Sequence, residues 1–157
     1  MSLLRSRWRK LLKSLRNDEG FTLMELMVVV AIIAILATGG FVAYGQFVQR
    51  AVDSSAQQFA AALRTAVQFY ELENNASPAV ASKATTKQHL SEVGLDTAEL
   101  TLLPSNDPAG SDAGFYVNCP SSNSATWKVT AVRSGRTSTE VTVTTGIKPT
   151  ADGCTND

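Results

Sequence analysis

Twenty consecutive residues without a charge, from Leu26 to Gly45, constrain this chain more than any other feature. A helix of that length rises far enough to cross a hydrocarbon layer of roughly 30 Å. Six basic side chains against two acidic ones precede the run, in residues 1–19. Because a basic arm beside an apolar span stays in the cytoplasm, the remainder of the chain is predicted to be exported.

Glu25 stands at the start of the apolar run. A carboxylate at the centre of a bilayer costs about 2.5–3.5 kcal/mol, so it normally has a partner. The alternatives are that Glu25 reaches water at the interface or pairs with its own chain terminus. A secretory signal peptide and an unprocessed anchor are alternative explanations of the run itself, and the absence of an A-x-A site between Ala34 and Ala37 argues against the signal peptide.

Apolar residues continue at helical spacing beyond the span, which predicts a single helix from Phe21 to Glu73. The apolar stripe consists of Val48, Val52, Ala56, Phe59, Leu63, Val67 and Tyr70. The polar faces carry Gln49, Asp53, Gln57, Arg64, Gln68 and Glu71. Asn74 and Asn75 with the following Ser77–Pro78 pair are expected to end the helix, because a residue before proline disfavours helical geometry.

The chain after the helix changes from loop composition to strand periodicity. Residues 76–88 are interpreted as an exposed loop, and Thr86 to Val93 as a short helix with Gly94 as its cap and Leu95 packing back. Turn-forming residues fill Thr101 to Ala113. Alternation with a period of two then predicts strands at Phe115–Val117, Trp127–Val132 and Thr139–Thr144, with a turn at Ser134–Arg136. The predicted fold class is α+β, with a long N-terminal helix packed on a small antiparallel sheet.

Cys119 and Cys154 both lie in the part predicted to be exported. An even pair in an oxidising compartment indicates one disulfide, worth roughly 4 kcal/mol in the chain-entropy account. Two buried thiols are the alternative.

The segment Gly20-Phe21-Thr22-Leu23-Met24-Glu25-Leu26 with the Val/Ile/Ala run behind it resembles the processing site of type IV pilins and pseudopilins. The resemblance implies that a prepilin peptidase cuts after Gly20, removes the leader 1–20 and N-methylates Phe21. Residues 21–45 would form the membrane-spanning and later filament-core helix, and residues 46–75 its amphipathic half. Residues 76–157 would hold the variable loop, the sheet and the disulfide region.

The resemblance also implies a structural function rather than an enzymatic one. The chain would be a subunit of a type IV pilus-like filament, with Glu25 and the cationic terminus of Phe21 on an adjacent copy setting the register. A pseudopilin of a type II secretion or DNA-uptake machine is the alternative, followed by a monomeric membrane-anchored binding domain. The implied partners are the prepilin peptidase, copies of itself and other pilins, and an inner-membrane assembly platform. The chain would first cross the inner membrane with a cytoplasmic N-terminus and then join a periplasmic or cell-surface filament.

Other residues with functional potential have simpler explanations. His89 lacks convergent partners in sequence and is interpreted as a surface residue. Oxygen atoms of Asp107, Asp112 and Asp152 could join a calcium site, but ordinary turn aspartates explain them better. Trp127, Phe115 and Tyr116 are expected in the core between sheet and helix. The sequence predicts no catalytic set, metal or cofactor, and without a basic cluster in the exported part it gives no support to nucleic-acid binding.

Overall fold

The computed structural model describes residues 21–156, so the predicted leader 1–20, including Gly20, lies outside the described residues. The chain divides into two compact units, Met1–Ala43 and Tyr44–Asp157. One helix, α1, runs from Leu23 to Asn74 through both units. Its bounds differ from the predicted helix, Phe21 to Glu73, by at most two residues. Asn75 ends it with a φ of 50°, in the left-handed region, and its amide donates to the Glu71 carbonyl at 2.9 Å.

The described part of the first unit exposes every side chain from Phe21 to Ala43. Among the described residues, α1 is the one helix long and apolar enough to cross a membrane.

The second half of α1 buries one face against the sheet of the second unit. The buried residues on it are Val52, Ala56, Ala60, Leu63, Ala66, Val67 and Glu71. The predicted apolar stripe is therefore confirmed at its centre, where three of the buried positions are small alanines that let the helix approach the sheet closely.

The sheet contains five strands: β1 Leu100–Leu103, β2 Gly114–Asn118, β3 Thr126–Arg133, β4 Arg136–Thr137 and β5 Val141–Thr144. They lie in the order β1, β2, β3, and both β4 and β5 pair with the remaining side of β3. All pairings except β1 with β2 are antiparallel, which confirms the predicted α+β class with a mostly antiparallel sheet.

Strand β1 was not predicted, since the turn residues that follow it led us to interpret Thr101 onward as loop. It pairs with β2 in parallel, with Leu100 opposite Phe115. Such pairing is possible because the loop 104–113 carries the chain back along the sheet before β2 begins. The side chain of Asn118 holds this loop by donating to the carbonyls of Pro104 at 2.8 Å and Asp107 at 2.7 Å.

The short helix α2 spans Lys83–Glu92 and begins three residues before the predicted start. Ser82 caps it by accepting a hydrogen bond from the Thr85 amide, at 3.3 Å. Its end is as predicted: Gly94 has a φ of 89°, and the amide of Leu95 donates to the Leu90 carbonyl at 3.0 Å. Leu95 is buried, so this is a Schellman motif with its hydrophobic contact.

The prediction that residues 76–88 form an exposed loop was wrong. Ser77, Pro78 and Ala79 are buried, and α2 occupies the segment from Lys83 onward. The cause is the C-terminal segment, whose Cys154 and Asn156 amides donate to the carbonyls of residues 80 and 81 at 2.7 and 2.8 Å. That extended pairing covers a segment whose small, polar composition is otherwise typical of solvent-exposed chain.

The predicted disulfide joins Cys119, directly after β2, to Cys154, with 6.0 Å between their Cα atoms. Both cysteines are fully buried in the main core cluster together with Trp127. The bond therefore ties the sheet to the C-terminal segment that covers residues 77–79.

The predicted core aromatics behave differently from one another. Trp127 is completely buried, and Tyr116 is buried with its hydroxyl donating to the Asp112 carbonyl at 3.1 Å. Phe115 is only partly buried: its ring stacks on that of Phe59, with 4.3 Å between centroids, and the Arg133 guanidinium lies 5.0 Å above it.

Candidate assembly site

The start of α1 is a capping box. The Glu25 amide donates to the Thr22 hydroxyl at 3.2 Å, while the Glu25 carboxylate accepts from the Thr22 amide at 3.4 Å. Thr22 is the N-cap and Glu25 the third helical residue, the spacing at which these two side chains satisfy each other's amides. This capping role of Glu25 was not predicted from the sequence.

The capping bond leaves most of the Glu25 carboxylate available. Only one oxygen, Oε2, takes part in it, and the bond is long. Both Glu25 and Phe21 are exposed, Phe21 to 81%. Glu25 lies in the first turn of α1, where a negative charge interacts favourably with the positive end of the helix dipole.

The run from Leu26 to Gly45 offers an apolar surface interrupted by only two polar side chains, Thr38 and Tyr44. The Thr38 hydroxyl donates to the Ala34 carbonyl at 2.8 Å, inside the helix. Every side chain from Leu26 to Ala43 is exposed in the single chain. An apolar surface of this size, exposed in one chain, requires lipid or other protein to cover it.

A second apolar surface lies on α1 within the second unit. Phe69 and Leu72 are 55% and 84% exposed, although the buried residues Val67 and Glu71 are close to them in the sequence. Three residues apart, they lie next to each other on the side of the helix that the sheet does not cover.

Parts of this chain are similar to known proteins. Residues 15–41 match the family described as the prokaryotic N-terminal methylation motif. The chain is 37% identical over 91 residues to the type IV major pilin protein PilE of Neisseria gonorrhoeae, an alignment that covers 54% of each chain. This chain carries the prokaryotic N-terminal methylation motif and is similar to type IV pilins over about half of its length.

A second similar protein is described as dependent on a prepilin peptidase. The chain is 43% identical over 58 residues to prepilin peptidase-dependent protein D of Escherichia coli strain K12, covering 37% of this chain and 40% of that protein. The aligned regions span about half, or less, of the length of the relatives that the chain matches. No solved structure is significantly similar to it.

His89, interpreted from the sequence as a surface residue, is half-buried and contacts two neighbouring residues. Its ring stacks on Tyr70 with 4.8 Å between centroids, and its Nδ1 lies 3.1 Å from the Pro78 carbonyl oxygen. Burial, followed by the charge of Glu92, raises the pKa of Tyr70. The pair therefore packs α2 and the segment before it against the end of α1, which is a structural contact.

The three aspartates weighed as calcium ligands are engaged in turns. Asp107 and Asp112 offer their backbone carbonyls to Asn118 and Tyr116. The Asp152 carboxylate accepts from the Ser122 amide at 2.7 Å, and this bond lowers the pKa of Asp152. Among residues 21–156, no three acidic, histidine or cysteine side chains are grouped as metal ligands would be.

Two acidic residues that sequence reasoning placed on the polar faces of α1 instead hold the sheet. Glu71 is buried, and its two oxygens accept from the amides of Gly146 and Ile147, each at 3.1 Å. The Asp53 carboxylate accepts from the amide of Thr139 at 2.9 Å and from its hydroxyl at 3.2 Å. Placing Glu71 among the polar, solvent-facing residues was wrong because its partners are backbone amides, which carry no side-chain signature.

These two carboxylates fix the two ends of β5. They stand eighteen residues apart, about five helical turns, and therefore lie on the same line along α1. Thr139 precedes β5 and Gly146 follows it. Thr139 also lies in a β-bulge, since residues 138–140 face only residues 130 and 131 of β3. Asp53 thus satisfies an amide that the bulge removes from the ladder.

Proposed function

We propose that this chain is a structural subunit of a type IV pilus-like filament that assembles through α1 after processing. In this proposal a prepilin peptidase cleaves between Gly20 and Phe21 and methylates the new terminus. Residues 21–45 anchor the chain in the inner membrane and then form the filament core. The residues after 75 provide the outer surface of the filament.

The observation that carries the proposal is the exposed apolar run, most of which lies within the methylation motif. Lipid covers it while the chain is in the membrane, and the same surface needs protein once the chain leaves the bilayer. Other copies of α1 supply such a surface, since they present the same apolar residues. Phe69 and Leu72 extend the apolar surface available for those contacts beyond the span.

Glu25 supplies the register of assembly in this proposal. Cleavage after Gly20 creates an ammonium group on Phe21, and methylation keeps it cationic. The exposed Glu25 carboxylate of one copy pairs with the Phe21 ammonium of another, which removes the cost of two unpaired charges in apolar surroundings. This pairing fixes the axial displacement between neighbouring copies of α1. Every copy therefore joins the filament with the same displacement relative to its neighbour.

Mass spectrometry of the N-terminus tests the processing step. The chain purified from cells that contain a prepilin peptidase should begin at Phe21 with one added methyl group. From otherwise identical cells without the peptidase, it should begin at Met1. A chain that begins at Met1 in both strains would contradict processing and favour the monomeric membrane-anchored domain.

Electron microscopy tests the filament itself. Filaments sheared from cells that express the chain should contain it, and they should disappear when its gene is deleted and return when it is restored. Processed chain that stays in the membrane fraction, with filaments unchanged by the deletion, would contradict the structural role.

A further inference from the structure

The β3–β4 turn lies against α1 at the point where the apolar run ends. The Nη2 atom of Arg136 lies 3.5 Å from the position that a Cβ on Gly45 would occupy. Gly45 directly precedes Gln46, the first amide side chain after the apolar run. One turn further along α1, the Gln49 side chain donates to the Thr137 carbonyl at 3.0 Å. Arg136 is therefore held within a few ångströms of the residue at which the apolar run gives way to polar side chains.

The connection that presents Arg136 is a tight one. Ser134 and Gly135 have φ values of 52° and 69°, which is the pattern of a two-residue type I′ turn. Arg133 and Arg136 flank this turn and are opposite each other in the antiparallel pairing of β3 with β4. Because such a turn has little freedom, Arg136 stays at the tip of the hairpin beside α1.

The two arginines of this hairpin have different surroundings. Arg133 forms an ion pair with Glu99 and lies over the Phe115 ring. Arg136 is exposed, and no carboxylate pairs with it anywhere in residues 21–156. Its guanidinium is available for an anion that the folded chain does not provide.

Neighbouring side chains on α1 complete an interfacial pattern. Tyr44 and Phe47 are 68% and 70% exposed, and Arg50 is exposed and likewise has no ion-pair partner among the described residues. Aromatic and basic side chains next to the end of a span are typical of the headgroup level of a bilayer.

We propose that Arg136, with Arg50 and Tyr44, binds the phosphate groups of phospholipids at the membrane surface on the folded side of the span. A guanidinium matches a phosphate through paired, charge-assisted hydrogen bonds, which an ammonium cannot form in the same geometry. The contact holds the second unit on the bilayer while the chain waits in the membrane. It is given up when the chain leaves the lipid for a filament, so it concerns the stored subunit and not the assembled one.

The experiment uses the full chain in lipid nanodiscs at one chain per disc, which excludes contacts between copies. A Ser134→Cys variant carries a fluorophore two residues before Arg136. Asn123→Cys carries it at a control position in the connection between β2 and β3. The native cysteines are already paired. Lipids with a nitroxide on the headgroup quench a fluorophore that lies close to them. We expect strong quenching at position 134 and weak quenching at position 123.

Arg136→Gln is tested in the Ser134→Cys background, in discs containing anionic lipid. It should lower the ratio of quenched to unquenched fluorophore about fivefold, because one basic side chain strengthens binding to an anionic membrane surface by about that factor. Salt should reduce the effect in the original chain. Arg64→Gln is the matched control, an equal change of charge at an exposed arginine nineteen residues beyond Gly45 on α1, and it should change nothing. Equal quenching with and without Arg136, or quenching that needs two chains per disc, would overturn the proposal; the second result would assign Arg136 to a contact between copies.

Discussion

We expect Glu25→Gln to abolish filament assembly while the start of α1 stays intact. Glutamine retains a side-chain oxygen that can accept from the Thr22 amide, so the capping box persists. What it loses is the negative charge, which leaves the Phe21 ammonium of a neighbouring copy unpaired among apolar side chains. An unpaired charge in that environment costs about 3 kcal/mol, more than a hundredfold in an association constant.

Two further substitutions separate the charge of Glu25 from its capping role. Glu25→Ala removes both, and should fail to assemble to the same degree as Glu25→Gln. Thr22→Ala removes the hydroxyl that caps the helix but keeps the charge. The loss of one N-cap costs about 1 kcal/mol at most positions, so the helix should fray slightly and filaments should still form.

Counting sheared filaments by electron microscopy, with membrane insertion and cleavage confirmed for each variant, measures these effects. Normal filaments from Glu25→Gln together with failure of Glu25→Ala would mean that Glu25 acts only as a cap. Failure of Thr22→Ala to form filaments, with normal filaments from Glu25→Gln, would also indicate that capping is the function of Glu25. Either result would remove the register contact from the proposed function while leaving the apolar helix as the assembly surface.

Periodicity predicted most of the fold because apolar burial leaves a regular trace in sequence. The stripe through Val52, Ala56, Leu63 and Val67 is the buried face of α1, and the alternation around Trp127 is the inner face of β3. Gly94 likewise marked the end of α2, since few other residues adopt its backbone conformation readily.

The parts that the sequence did not reveal depend on contacts between the backbone and distant residues. Residues 77–79 are buried because the C-terminal segment pairs over them, and nothing in their own composition indicates that cover. Strand β1 is only four residues long and ends at a proline-containing loop, so its alternation was too short to recognise.

The candidate assembly site was predictable for a different reason. A lone carboxylate in a long apolar run stands out because its cost in lipid is large, and the residues around it match a known motif. Glu71, by contrast, sits in a mixed helical segment where a glutamate is ordinary. Its burial follows from the position of Gly146 and Ile147, which only the folded chain brings to it.

We expect Glu71→Ala to reduce the free energy of unfolding by about 3 kcal/mol, because it strands two backbone amides that each lose a charge-assisted hydrogen bond. Asp53→Ala should cost less, about 1–2 kcal/mol, since its partners at Thr139 are exposed and water can replace it. Glu71→Gln keeps one acceptor oxygen and should fall between the original chain and Glu71→Ala.

Urea unfolding of the full chain in detergent, with the disulfide intact and followed by near-ultraviolet circular dichroism at Trp127, measures these differences. Glu73→Ala is the matched control, because it removes an exposed glutamate from the same helical turn region and should change stability by less than about 0.5 kcal/mol. If Glu71→Ala were as mild as Glu73→Ala, water would be able to reach the amides of Gly146 and Ile147, and the end of β5 would not depend on α1. If Glu71→Ala is costly and Glu73→Ala is not, a single buried carboxylate fastens the end of the edge strand to the helix, and the outer surface of the subunit keeps its shape only while that contact holds.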